Sequence, residues 1–256
     1  MSYFRRLGPH RFLATAATGG AWAVEEQHIA PALGLLAHAV AQDQEQRGRP
    51  GLVMARLSYD ILGTVAIGEV EVAVEVVRPG RTIDLVQARL SASGRDVVRA
   101  RVWLLEPRDS AGTAGTPVPT MPPPEALPAW DPTTLWVGGF IASVQVRRED
   151  LGPGRARVWV RTPLPLVAEE PVAEPARLIG LLDIANGMAV RADPREVAYP
   201  NVDLTVHLTR RPVGEWLGLD TTVTFGADGL GLTSSVVHDL AGPLGTCAQA
   251  LTVRPR

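Results

Sequence analysis

Residues 174–191 read EPARLIGLLDIANGMAVR, and this stretch decides the architecture. Ile179, Leu181, Leu182, Ile184, Ala185, Met188 and Val190 leave almost no polar face, the pattern of a helix buried nearly all round. Residues 29–46, IAPALGLLAHAVAQDQEQ, predict a second helix of the same apolar kind. Pro31 suits its first turn, where a backbone N–H is not required, and Gly48 stands where such a helix stops.

Strands surround both helices. On either side of 29–46, residues 11–18 (RFLATAAT) and 52–62 predict strands. Val70, Val72, Val74 and Val76 then alternate with Glu69, Glu71, Ala73 and Glu75, the period of a strand with one buried face. Pro79-Gly80 and Ser93-Gly94 mark turns before strands near 82–92 and 96–105. Around 174–191 the order returns, with a strand pair near 139–147 and 155–162 and strands near 201–209, 216–225, 230–238 and 244–253. Gly34-Leu35-Leu36 matches Gly180-Leu181-Leu182, Leu57-Ser58 matches Leu204-Thr205, and Ala100-Arg101 matches Ala248-Gln249, which supports internal duplication. The predicted class is α+β, a double unit of two curled antiparallel sheets, each wrapped on a central helix. The pairing of halves would replace a homodimer interface.

Between the halves, residues 107–134 abandon apolar periodicity for Pro, Gly, Ser, Thr and Ala. The expected division is an N-terminal domain over 1–108, a proline-rich linker over 109–134 and a C-terminal domain over 135–256. Prolines favour extended, semi-rigid backbone, so the linker should run along the surface.

The 256 residues are 46% hydrophobic, enough to fill a core. With 25 basic against 27 acidic residues and no basic stripe, nucleic acid is not an expected partner. Every basic side chain other than histidine is Arg. Cys247 stands alone, the N-terminal MSYFRRLGPH lacks the apolar core of a signal peptide, and no run is apolar enough to span a membrane. The cytoplasm is the expected compartment. The five His residues lack metal-ligand spacing, and neither a phosphate loop nor a Gly-x-Ser-x-Gly elbow occurs, so no metal or cofactor is expected.

Three polar residues need explaining. Asp183 lies inside the most apolar helix, where an ionised carboxylate costs several kcal/mol unless it is paired, hydrogen-bonded or protonated. It could tie helix to strand or serve a site. Asn201 opens NVDLTVHLT, where Val202, Leu204, Val206 and Leu208 share one face, and it equally suits a turn after Pro200. Gln249 shares a strand face with Cys247, Leu251 and Val253, so its amide must brace backbone or reach a site. The corresponding first-half residues read as Ala37, Met54 and Arg101, and no catalytic residue is expected in that half.

Residues 158–188, 199–221 and 229–255 resemble bacterial double-hotdog acyl-CoA thioesterases of the thioesterase II type. In that family an Asp on the second central helix, a Thr or similar residue at the next strand's start and a Gln on the last strand hold the attacking water. By position these look like Asp183, Asn201 and Gln249. The resemblance implies hydrolysis of an acyl-CoA or acyl-carrier thioester by general-base catalysis, without a cofactor, in a chain that could form homo-oligomers. Two departures stand out: Asn replaces Thr, and the family's His-Gly-Gly-Pro before the first helix is His28-Ile29-Ala30-Pro31 here. A hotdog hydratase would pair its Asp with a His a few residues on, and none follows Asp183. A catalytically silent acyl-binding protein is the other alternative.

Overall fold

Helix α1 spans Ile29–Gln46, the range its sequence predicts. His28 caps it by accepting the Ala30 N–H through Nδ1, and Gly48 ends it in the left-handed region at φ 69°. The computed structural model describes residues 1–256. With α1, the first half contains β1 (Phe4–Arg6), β2 (Arg11–Ala14), β3 (Val53–Ile61), β4 (Glu69–Arg78), β5 (Ile83–Ala92) and β6 (Arg95–Leu105). The second contains β7 (Ala129–Trp130), α2 (Gly139–Ser143), β8 (Gln145–Asp150), β9 (Arg155–Arg161), α3 (Glu174–Leu182), α4 (Ala185–Met188), β10 (Val197–Ala198), β11 (Asp203–Leu208), β12 (Leu217–Phe225), β13 (Leu230–Asp239), β14 (Gly242–Thr252) and β15 (Arg254–Pro255).

The sheet is not two separate sheets. β3 pairs antiparallel with β11 and fuses the half-sheets into one of 13 strands, ordered β1-β2-β4-β5-β6-β3-β11-β14-β13-β12-β9-β8-β7. The order 4-5-6-3 is mirrored by 11-14-13-12, so an internal twofold relates the halves. Ser58 faces Thr205 across the join, and their hydroxyls hydrogen-bond at 2.9 Å. Helices α1 and α3 pack on each other where Gly34 meets Gly180, and a Cβ on Gly34 would come within 2.8 Å of Gly180 Cα. Glycine lets the two backbones approach this closely. Leu33, Leu35, Leu36, Ile179 and Leu182 are fully buried around the crossing, each contributing roughly 1.5–3 kcal/mol.

Four sequence expectations need correction. The strand expected over 11–18 ends at Ala14, because Thr15 caps a tight turn over Ala16–Thr18. The strand expected from 139 is a short helix, α2, and β8 begins at Gln145. Gly138 adopts φ 114°, and Gly139 lies so close to the Ala16 carbonyl that any side chain would collide with it. The helix expected over 174–191 breaks: α3 ends at Leu182, Asp183 caps it, and α4 restarts at Ala185. The match of Arg101 to Gln249 slips by one residue. Ser58 pairs with Arg101 as Thr205 pairs with Ala248, so Gln249 corresponds to Val102, and a one-residue slip reverses the face.

Residues 107–134 are mostly exposed, but their later part is anchored. Met121 and Leu127 bury against Trp159, whose indole N–H donates to the Pro122 carbonyl at 2.8 Å. β7 then adds to the edge of β8.

Candidate active site

The break between α3 and α4 sets the site. α1 passes unbroken through Ala37, whereas the second helix stops at Asp183, whose backbone sits at φ −70° and ψ 0°. That places a carboxylate 5% exposed at a chain reversal instead of inside a continuous helix. Its Oδ1 accepts two amide hydrogen bonds, from Asn201 Nδ2 at 2.6 Å and Gln249 Nε2 at 2.9 Å. Burial pushes the Asp183 carboxyl up to about 7, and the two amides oppose that rise only in part. The three residues singled out in the sequence therefore meet at one oxygen atom.

Each arrives by a different local device. Asn201 precedes β11 and bridges to Leu251 on β14. The chain bends at Val202, which is 46% exposed and not on the buried face its alternation predicts. That bend turns Asn201 inward, where Nδ2 also donates to the Asp203 carbonyl at 3.0 Å. Both amide hydrogens are thus committed, leaving Oδ1 as the atom free to bind a ligand. Gln249 is buried on β14 on the same face as Cys247 and Leu251, as alternation predicts. It stands behind the carboxylate, outside the cavity lining. Cys247 is a buried core residue whose thiol is pushed up by burial, first of all, and by the nearby Asp183 and Asp203 carboxylates.

Asp183 and Asn201 open onto a cavity of about 460 Å³, within the usual size of small-molecule sites. Asp183 Oδ2 makes no hydrogen bond to the protein. The first half lines the cavity as well, through Trp22, Gln27, His28 and residues 61–65. His28 accepts at Nδ1 from Ala30 N–H, which places its ring proton on Nε2, and desolvation lowers its pKa to about 3, so the ring is neutral. The ring stacks on Phe140, with centroids 4.3 Å apart. Trp136 completes the wall, with its indole N–H on the Gly187 carbonyl at 2.8 Å and its ring edge-on to Trp22. Sequence reading noticed His28 only as part of an altered motif and missed Trp22 and Trp136, because nothing local marks a loop residue as wall.

Models of the acyl-CoA thioesterase N-terminal and C-terminal domains match residues 18–105 and 116–253. This chain belongs to the acyl-CoA thioesterase family. Among solved structures, this thioesterase-family chain is similar to an acyl-CoA thioesterase II, TesB2, from Mycobacterium marinum, at 17% identity and TM-score 0.69, over 99% of this chain and 96% of that one. It is similar to a conserved hot dog fold protein of unknown function from Alicyclobacillus acidocaldarius, at 15% identity and TM-score 0.75, over 97% and 95% of the two chains. A TesB protein from Mycobacterium avium subs. paratuberculosis aligns at 18% identity and TM-score 0.65, over 98% and 96%. At these identities the structural likeness establishes the hotdog fold, while the family match makes the chain a thioesterase-like hydrolase. No curated protein matches the chain. No helix is long and apolar enough to cross a membrane.

Proposed function

We propose that this chain hydrolyses acyl-CoA thioesters with Asp183 as general base, in a double hotdog whose first half closes the cavity. The observation that carries the reading is the use of the Asp183 carboxylate: both amides donate to Oδ1, leaving Oδ2 for a ligand in the cavity. Water bound there donates one hydrogen to Oδ2 and the other to Asn201 Oδ1, which directs an oxygen lone pair at the thioester carbonyl. Asp183 accepts the proton as the C–O bond forms. Collapse of the tetrahedral intermediate breaks the C–S bond, the departing sulfur takes the proton held by Asp183, and the acid so formed loses its proton to solvent, leaving carboxylate, thiol and the ionised base. His28 Nε2–H, from the first-half lining of the same cavity, donates to the developing oxyanion. Gln249 acts through Asp183 as a positioning residue and does not touch the water.

The test is thiol release from a panel of acyl-CoA chain lengths. The parent chain should release thiol for at least one length, and Gln249→Ala should lower kcat about tenfold by freeing the carboxylate, the loss of a hydrogen bond to a charged group. Silence of the parent across the whole panel would remove the hydrolase reading.

A further inference from the structure

The sheet beneath Asp183 carries polarity that the fold does not require. Helices α3 and α4, which flank Asp183, pack on β12, and α4 also packs on β13. Thr221 on β12, Thr233 and Ser235 on β13 and Gln249 on β14 are all buried there, none more than 3% exposed. The register sets Thr221 opposite Ser235 and Thr233 opposite Gln249. In the first half the same ladder positions hold apolar residues, with Val74 opposite Ala88 and Val86 opposite Val102. Each stands 147 positions before its counterpart, the spacing that also relates Ser58 to Thr205 across the join. Valine and alanine match the outlines of threonine and serine without the hydroxyl. The first half thus shows what this sheet holds where no acid lies above it.

The two hydroxyl-bearing pairs differ. Thr221 and Ser235 satisfy each other, with their hydroxyls 2.8 Å apart. Gln249 Nε2 donates to Asp183, but Gln249 Oε1 is buried without a hydrogen-bond partner, and so is Thr233 Oγ1. Directly opposed residues on antiparallel strands hold their Cβ atoms about 4.5–5.5 Å apart, so a rotamer change at Thr233 brings its hydroxyl to the carboxamide oxygen. A buried donor and a buried acceptor, each otherwise unsatisfied, lower each other's cost by bonding. Orientation is what this bond controls. A carboxamide has a donor end and an acceptor end: with Oε1 held, Nε2 faces Asp183 and favours its anion, whereas a flipped amide would turn its oxygen on the carboxylate and repel it.

We infer that Thr233 is a positioning residue for the reaction, its hydroxyl donating to Gln249 Oε1 and keeping the amide nitrogen of Gln249 on Asp183. The rate consequences rest on the thioesterase reading, whereas the effect on Asp183 can be measured without turnover. The other ionisable groups near Asp183 are the Cys247 thiol, the Asp203 carboxylate beside it and the His28 ring in the same cavity lining. None of them has Thr233 as a hydrogen-bond partner.

The experiment uses Thr233→Val, the residue the first half carries at this position, with Thr233→Ser beside it and Thr221→Val combined with Ser235→Ala as a control for hydroxyl loss from the same layer. Thr233→Val should fold as stably as the parent and lower kcat for acyl-CoA about fivefold at unchanged KM, the loss of one neutral hydrogen bond. Thr233→Ser should restore the rate, and the control pair should leave it unchanged. In a Gln249→Ala background Thr233→Val should cost nothing further, because the group it positions is gone. A rate unchanged in Thr233→Val, an equal loss in the control pair, or a full additional loss in the Gln249→Ala background would overturn the inference. The titration of Asp183, followed by NMR of its carboxyl carbon in the same variants, decides the matter even for a chain that hydrolyses nothing. Thr233→Val should raise the inflection by about half a pH unit, toward that of Gln249→Ala, and Thr233→Ser should return it. An inflection unmoved by Thr233→Val would refute the positioning role, whereas a raised inflection in a parent silent toward every acyl-CoA would refute only the enzymatic reading.

Discussion

Asp183→Asn is expected to abolish thioester hydrolysis and at the same time to stabilise the fold at pH 8. The substituted amide keeps an oxygen to accept from Asn201 and Gln249, so the geometry survives while the base is lost, at a cost of about 10²–10⁴-fold in kcat. The stability gain follows from the carboxyl's position near 7 in the folded chain against an ordinary 3.8. Between those values the folded chain holds a proton that the unfolded chain has released, so stability falls as pH rises from 3.8 to about 7 and stays lower above that. Asparagine has no such dependence. At pH 8 the variant should exceed the parent by up to about 4 kcal/mol, three pKa units at 1.36 kcal/mol each, and near pH 4 the two should converge. Denaturant midpoints at both pH values check this, and a variant less stable than the parent at pH 8 would show that the carboxylate is not buried against its preference.

The second large effect lies at the helix crossing and is asymmetric. Gly34→Ala drives a methyl to within 2.8 Å of Gly180 Cα and 2.9 Å of the Ala176 carbonyl, both backbone atoms that cannot swing away. Forcing the helices apart should cost about 1–3 kcal/mol. The same change at Gly180 meets nothing nearer than 3.6 Å and gains helix propensity, so Gly180→Ala should be neutral or stabilising. Because Asp183 follows Gly180 by three residues, Gly34→Ala should also reduce activity. Equal denaturation midpoints for the two variants would mean that the halves do not meet at these glycines.

The duplicated plan was legible because its signals are local. Apolar helices, valine alternation and turn dipeptides recur in the same order in both halves, and α1 and the strands β4 to β6 lie close to where periodicity puts them. The fusion of half-sheets through β3 and β11 was not legible, since edge pairing depends on distant chain. Nor was the break at Asp183, because helix propensity there is overridden by two amides contributed from the starts and ends of other strands. The three polar residues stood out as buried or displaced polarity, and the corrected register sharpens their asymmetry: Ala37, Met54 and Val102 stand where the second half has Asp183, Asn201 and Gln249. The first-half wall stayed hidden because His28 and Trp22 acquire meaning only from the cavity they face.

The pH dependence of kcat/KM for acyl-CoA hydrolysis, measured from pH 5 to 9 in the parent and in Gln249→Ala, bears most directly on Asp183 as the base. The parent rate should rise with loss of one proton near pH 7 and level off above it. In Gln249→Ala the inflection should move to higher pH, because an amide that favours the ionised carboxylate is gone. A parent profile flat across this range, or an inflection that stays in place when Gln249 is removed, would contradict Asp183 as the catalytic base.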